Sequence, residues 1–327
     1  MKLPRRTFLQ LAGAAAVAPA FSRAATAESY PSRPITMIVP GQAGGSLDVV
    51  ARLLAERMKE SLRQTITIEN VSGADGSIGT GRIARAKPDG YTIGLGITST
   101  HVLNAALHSL PYDVVNDFSP ISPLVTVRVA LFASKTTPAK DLNELIAWLK
   151  AHPNKASAGI NTTFLHLTAA LFQKETGTQF ILVPYRGGPS ALQDLVAGQI
   201  DLFFQVPDLP LPQLRAGSIK AYAVAGDTRS PLAPDVPTFG EMGLPALSFS
   251  GWYGLFAPKG TPKEIIERLN AAIVEALADP AVRSRLADLG MEIFPRDRQT
   301  PEALAALQKA DADKWWPLIK ELGIKAE

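Results

Sequence analysis

Three short runs of glycine, hydroxyl and amide residues are the parts of this sequence best suited to holding a ligand. The first, Pro40-Gly41-Gln42-Ala43-Gly44-Gly45-Ser46-Leu47-Asp48, follows an apolar stretch and opens a helical pattern. Glycines there let backbone N–H groups approach a ligand, and a helix N-terminus adds unsatisfied donors and about half a positive charge. That combination favours an anion. The candidate contacts are Gln42, Ala43, Gly44, Gly45, Ser46 and Asp48, the last also suited to ordering the loop as a carboxylate near a helix N-terminus. The second run supplies Thr98, Ser99 and Thr100, and the third supplies Asn161, Thr162 and Thr163 ahead of a helix at Leu165-Lys174. In an α/β fold such loops fall at the carboxyl ends of strands, where ligands bind. None of the three contains Arg or Lys, so neutral donors and helix ends must carry the recognition; Arg186 is the one cation on a comparable loop.

Other chemistries find little support. The glycine run lacks both the Gly-Lys-Ser/Thr ending of a nucleotide P-loop and the Gly-x-Gly-x-x-Gly spacing. There is no Gly-x-Ser-x-Gly elbow, and the histidines (His101, His108, His152 and His166) show no paired spacing. The chain has no cysteine, which excludes disulfides, thiolate nucleophiles and iron–sulfur clusters. No basic stripe with interleaved aromatics appears, so nucleic acid is not expected as a partner. The expectation is a protein without catalytic residues, metal or cofactor.

The elements that position these loops begin after an address label. Pro4-Arg5-Arg6-Thr7-Phe8-Leu9 is a twin-arginine pair ahead of an apolar stretch, and Ala25-Thr26-Ala27 has the small-x-small form of a signal-peptidase site. Residues 1–27 are therefore expected to be a signal peptide that directs the chain to the periplasm. Removing Lys2, Arg5, Arg6 and Arg23 from the formal charge of +3 leaves about −1. Beyond residue 28, short apolar runs alternate with helical patterns, as in an α/β protein with mostly parallel strands. Expected strands are Ile35-Val39, Ile66-Glu69, Thr92-Gly96, Val129-Ala133, Ala156-Ala158, Phe180-Val183, Leu202-Gln205 and Ala221-Ala225. Ser46 is expected to cap the helix bearing Leu47, Val50, Ala51, Leu54, Met58 and Leu62, and Asp141 with Glu144 to form a capping box. The last quarter reads as helices opened by Thr261-Pro262, Asp279-Pro280 and Thr300-Pro301. The aromatic segment Ser248-Phe256 could carry the chain back from a second lobe to the first.

The ordered series GGSLDVVAR, IENVSGADGSIGTGRIARAKPDGYT, YDVVNDFSPIS, VPYRGGPSALQDLVAGQIDLFF, PDVPTFGEMGLP and GLFAPKGTP resembles the Bug-type extracytoplasmic receptors of tripartite tricarboxylate transporters, from about Tyr30 to Gly323. The resemblance implies a two-lobed periplasmic binding protein of type II-like α/β architecture, each lobe a mainly parallel sheet flanked by helices, with the ligand cleft between them. It places lobe 1 at residues 28–126 plus 247–327 and lobe 2 at 127–246. It implies capture of a small organic acid by a monomer for delivery to membrane permease subunits, or, as the alternative, presentation of bound solute to a signalling receptor. It makes Gly44, Gly45, Ser46 and Asp48 the first-lobe cradle, Thr98 to Thr100 its neighbour, and Asn161 to Thr163 the second-lobe anion site. Two departures bear on ligand choice: INTTFLH where members often have glycine and serine, and Gln205 where a carboxylate commonly ends the strand. Gln205 can donate as well as accept, which suits a second carboxylate or a carbonyl.

Overall fold

In the computed structural model, which describes residues 30–324, apolar β-branched runs form strands and the stripes spaced by three and four residues form helices. The expected signal peptide lies outside the described residues. The first half-chain runs β1 (Ile35–Val39), α1 (Ser46–Leu62), β2 (Ile66–Asn70), α2 (Ser77–Ala84), β3 (Thr92–Ile97), a single π turn over Ser99–Leu103, α3 (Asn104–Leu107), β4 (Phe118–Arg128), β5 (Ala130–Ser134), α4 (Leu142–Ala151) and β6 (Ser157–Ile160). There follow α5 (Thr163–Thr176), β7 (Ile181–Pro184), α6 (Gly188–Ala197), β8 (Leu202–Gln205), α7 (Leu211–Arg215) and β9 (Ile219–Val224). The chain ends with β10 (Ser250–Pro258), α8 (Lys263–Ala278), α9 (Pro280–Asp288), β11 (Glu292–Ile293) and α10 (Pro301–Leu322).

The strands form two sheets flanked by helices, ordered β11-β4-β10-β3-β1-β2 and β7-β6-β8-β5-β9. β1 pairs parallel with β2 and β3, and β6 pairs parallel with β7 and β8. Each sheet also holds a strand running against its neighbours: β10 is antiparallel to both β3 and β4, and β5 to both β8 and β9. Both sheets are therefore mixed. These reversed strands are the first ones laid down after the chain changes sheets, at Val129 and again after the long segment 225–249. β4 and β10 were not among the expected strands. Pro120 and Pro123 interrupt the β4 pattern, and the sheet accommodates them through register shifts opposite β10.

α1 and α8 bury Leu54, Met58, Leu269 and Ile273 over one face of the first sheet, in one cluster with Met37, Val39 and Leu95. In the second sheet α6 buries Ala191 and Leu195 against Phe132, Ile200 and Phe203. A further cluster joins the two sheets, running from Ile38 and Val102 through Phe164, Phe249, Trp252 and Trp315 to Phe172 and Phe204. Trp315 stacks edge-on to Phe249 at 4.9 Å, so α10 closes the back of the molecule across both sheets.

Local chemistry sets the helix starts with two exceptions to expectation. Asp141, Asp279 and Thr300 accept from backbone N–H groups of the first turns of α4, α9 and α10. Thr261 does not cap α8: its hydroxyl donates to Pro258 O at 2.8 Å, and Pro262 takes the cap position. Nor does Ser46 cap α1; Gly45 stands at the cap without a side-chain bond.

Candidate functional site

A cleft of about 510 Å³ opens between the two sheets, within the 300–1,000 Å³ range usual for small-molecule sites. Of the residues expected to bind ligand, Gln42, Gly45, Ser46, Thr98, Ser99, Asn161, Thr162, Arg186 and Gln205 line it. Ala43, Gly44, Asp48, Thr100 and Thr163 do not.

Two helices point uncapped N-termini into this cleft from opposite sheets. α1 begins after Gly45 and α6 after Gly187, and neither cap residue has a side-chain bond to the first turn. The two ends nearly touch: a Cβ on Gly45 would lie 3.9 Å from Pro189 Cδ, and one on Gly187 would lie 2.5 Å from Gln42 Oε1. Each end leaves unsatisfied N–H groups and a partial positive charge, and Arg186 stands immediately before the second. The Gln42 Oε1 atom is itself buried without a partner. Gly187, Gly188 and Pro189 were not among the expected contacts. Their signal was present, because Gly187-Gly188-Pro189-Ser190 after a strand repeats the Gly44-Gly45-Ser46 pattern after β1.

The remaining expected residues hold the frame. Burial alone would push the Asp48 carboxyl up, but hydrogen bonds from Arg52, the Gly44 N–H and Asn70 hold it below the usual carboxylate range. It receives Gly44 N at 2.9 Å, Arg52 Nε at 3.0 Å and Asn70 Nδ2 at 3.0 Å, so it ties the loop to α1 and β2. Thr100 turns back on its own segment, accepting from Ile97 N at 3.1 Å. Thr98 Oγ1 accepts from Trp252 N at 2.9 Å and fixes the π turn to β10. Gln205 donates to Asn161 Oδ1 at 3.1 Å and accepts from Val206 N at 2.8 Å; both ends of the amide are committed, and it orients Asn161.

At the N-terminus of α5 much of the donor capacity is spent. Thr162 caps the helix, accepting from Leu165 N. Phe164 N donates to Ser99 Oγ at 3.0 Å, across the cleft. The Thr163 hydroxyl faces Asn104 Oδ1 at 2.6 Å and Asp75 Oδ2 at 3.1 Å, both on the first-sheet side. Asp75 belongs to a strained stretch: Ala74 and Asp75 have φ of 46° and 50°, followed by Gly76 at 81°. Strain of this kind persists where surrounding contacts over-determine it, and here Asn104 Nδ2 holds Asp75 O at 3.0 Å. Asp75 and His108, 3.8 Å apart, line the cleft, as do His166, Tyr185, Trp252 and Tyr253. His101 does not: it is fully buried, stacked on Phe256 at 4.0 Å, and desolvation pushes its imidazole down to about 3, so it stays neutral.

The tie nearest the paired helix ends is Ser46 Oγ donating to Asp208 Oδ1 at 2.7 Å. Asp208 follows β8 on the second-sheet side and was not anticipated. Among the described residues no group of His, Asp or Glu side chains is arranged to hold a metal ion, and no helix is long and apolar enough to cross a membrane.

The sequence profile described as "Tripartite tricarboxylate transporter family receptor" matches residues 50–324. Solved structures similar to this chain include the periplasmic binding protein BugD, 36% identical over 91% of this chain and 100% of that one, with a TM-score of 0.87. MatC from Rhodopseudomonas palustris, with bound malate, is 37% identical over 89% of this chain and 100% of its own, with a TM-score of 0.85. Rpa4515 of R. palustris, with adipate, is 30% identical over 90% and 99%, with a TM-score of 0.86.

Proposed function

This chain belongs to the family of tripartite tricarboxylate transporter receptors, and from that premise we propose that it is a periplasmic substrate-binding protein that captures a small organic carboxylate between its lobes. The observation that carries this reading is the convergence of two uncapped helix N-termini, α1 and α6, on one cleft. Their N–H groups supply donors to a carboxylate, with Arg186 beside the α6 terminus as the one cation among the expected contacts. Gln42, Gly45, Ser46 and Arg186 flank the anion; Thr98, Ser99, Asn161 and Thr162 border the cleft, and Gln205 acts through Asn161.

The lobes correspond to residues 28–126 with 247–327 and to 127–246, with crossings near Val129 and along 225–249 acting as the hinge. The monomer closes on ligand, and ligand stabilises the closed form through its contacts with both lobes. The bound acid is then passed, chemically unchanged, to the membrane permease subunits of a tripartite tricarboxylate-type transporter. Export through the twin-arginine signal in residues 1–27 brings the chain to that compartment. That malate and adipate occupy similar proteins supports a dicarboxylate as the first class to test.

The test is thermal melting of the mature protein, unfolded and refolded to strip bound ligand, against C4 to C9 dicarboxylates, citrate, aromatic acids and neutral amides. A ligand at about 100 times its dissociation constant adds about 2.7 kcal/mol. A selective rise in Tm with one acid series is expected. A rise with neutral amides alone would refute the anion cradle.

A further inference from the structure

We propose that capture of the carboxylate is coupled to uptake of one proton by Asp208, an inference that rests on the carboxylate reading of the cleft. Asp208 lies directly behind the α1 cradle. Its carboxyl accepts the Ser46 hydroxyl at 2.7 Å across the lobe boundary and is 9% exposed. The groups that face it are the Ser46 hydroxyl from α1, the Tyr253 phenol from β10, which bonds to Ser46, and the N–H groups of Asp208 and Leu209 on its own loop. No cation is among them. The other charged or titratable groups that line the cleft belong to other elements, Asp75 before α2, His108 after α3, His166 on α5, and Tyr185 and Arg186 between β7 and α6, and Asp48 is turned to Arg52 and Asn70.

An ionised carboxylate buried without a counter-charge is costly, and a second anion placed beside it raises the cost further. Burial already pushes the Asp208 carboxyl up to about 7, against the lowering effect of Ser46 and the two backbone N–H groups. A ligand carboxylate at Gly45 and Ser46 pushes it higher. The proton is taken from solvent as the ligand binds, neutralising Asp208 while Ser46 keeps an oxygen of the carboxyl as its partner. The closed receptor then holds one anion near the α1 terminus rather than two.

Linkage sets the sign. Well below about pH 7 Asp208 is already protonated and affinity is flat; above it, and up to the higher pKa that Asp208 has with ligand bound, binding must recruit a proton and the dissociation constant rises about tenfold per pH unit. Malate, adipate and benzoate serve as probes because their own carboxyls are ionised from about pH 6.5 upward. Calorimetry at about pH 8 in two buffers of different ionisation enthalpy is expected to show uptake approaching one proton per ligand. Asp208→Asn, which keeps the side-chain shape and an acceptor for Ser46, is expected to show uptake near zero and a dissociation constant independent of pH from about 6.5 to about 9. A melting curve and circular dichroism spectrum of the variant report whether it is folded. In the wild-type protein the infrared band of a protonated carboxyl should grow on ligand addition at about pH 8, a readout that does not depend on the variant. Binding without proton uptake overturns the coupling and leaves the carboxylate reading standing. Failure of every acid to bind at any pH, in folded protein, overturns both.

Discussion

At the scale of single residues, hydroxyl and amide groups in this cleft divide between framing and contact, and spacing alone does not reveal which is which. Ser46, Thr98 and Thr163 look alike in the sequence, yet Ser46 bonds across the lobes, Thr98 holds a strand N–H, and Thr163 is turned to Asn104 and Asp75. Thr98→Val tests the framing role. Valine matches threonine in shape but leaves Trp252 N–H buried without an acceptor, which costs about 1–3 kcal/mol. Urea unfolding is expected to show that loss, with ligand affinity weakened less than stability. His101 illustrates a residue whose chemistry is silenced by its setting: fully buried and stacked on Phe256, it behaves as an aromatic core group.

At the scale of elements, what matters is where each helix starts. α4, α9 and α10 carry side-chain caps and serve the framework. α1 and α6 start at glycine without a side-chain cap, which leaves their first-turn donors without a side-chain partner. The loop before α2 supports this arrangement from beneath. Gly76 has φ of 81°, and a Cβ there would lie 2.7 Å from Thr100 Cγ2 and 2.9 Å from Pro40 O. Gly76→Ala therefore strains the backbone and pushes on the root of the first cradle at once. The expected result is a stability loss of more than about 1 kcal/mol in urea unfolding, together with weaker ligand binding in calorimetry. Unchanged stability would mean that the Ala74–Gly76 turn relaxes freely and is not pinned by its neighbours. The capping box at Asp141 and Glu144 was legible from spacing because both partners are local. The missed cap at Ser46 was not, because its competing partner, Asp208, is 162 positions away.

At the scale of the whole molecule, the two sheets are joined by an apolar cluster behind the cleft and by a few polar ties in front of it. The ties are Ser46 to Asp208, Phe164 N to Ser99, and Thr163 to Asn104 and Asp75. Removing two of them by Ser99→Ala with Thr163→Val should cost the closed form roughly 2 kcal/mol, a factor of about 30 in the open-to-closed ratio. Small-angle scattering is the check: the ligand-free variant should have a larger radius of gyration than the ligand-free wild type, and saturating ligand should bring the two together. Equal radii without ligand would show that the apolar cluster of Phe164, Phe249 and Trp315 alone holds the lobes.

The sequence by itself determined the alternation of strands and helices, the glycine-opened helix after β1, the absence of thiol chemistry and the family resemblance, because each rests on local spacing or on an ordered series of motifs. Twelve of the expected binding positions lie on the three hydroxyl-rich or glycine-rich runs nearest β1, β3 and β6 in the chain, and spacing found those runs. Only the tertiary structure decided that β4 and β10 enter the first sheet, with β10 reversed between β4 and β3. It also decided that α6 meets α1 end to end, and that Asp208 is buried behind Ser46 without a cation. The physical reason is common to all three. Burial, pairing and the loss of solvent screening depend on residues far apart in the chain, and a hydroxyl or carboxyl acquires its role only when folding fixes what faces it.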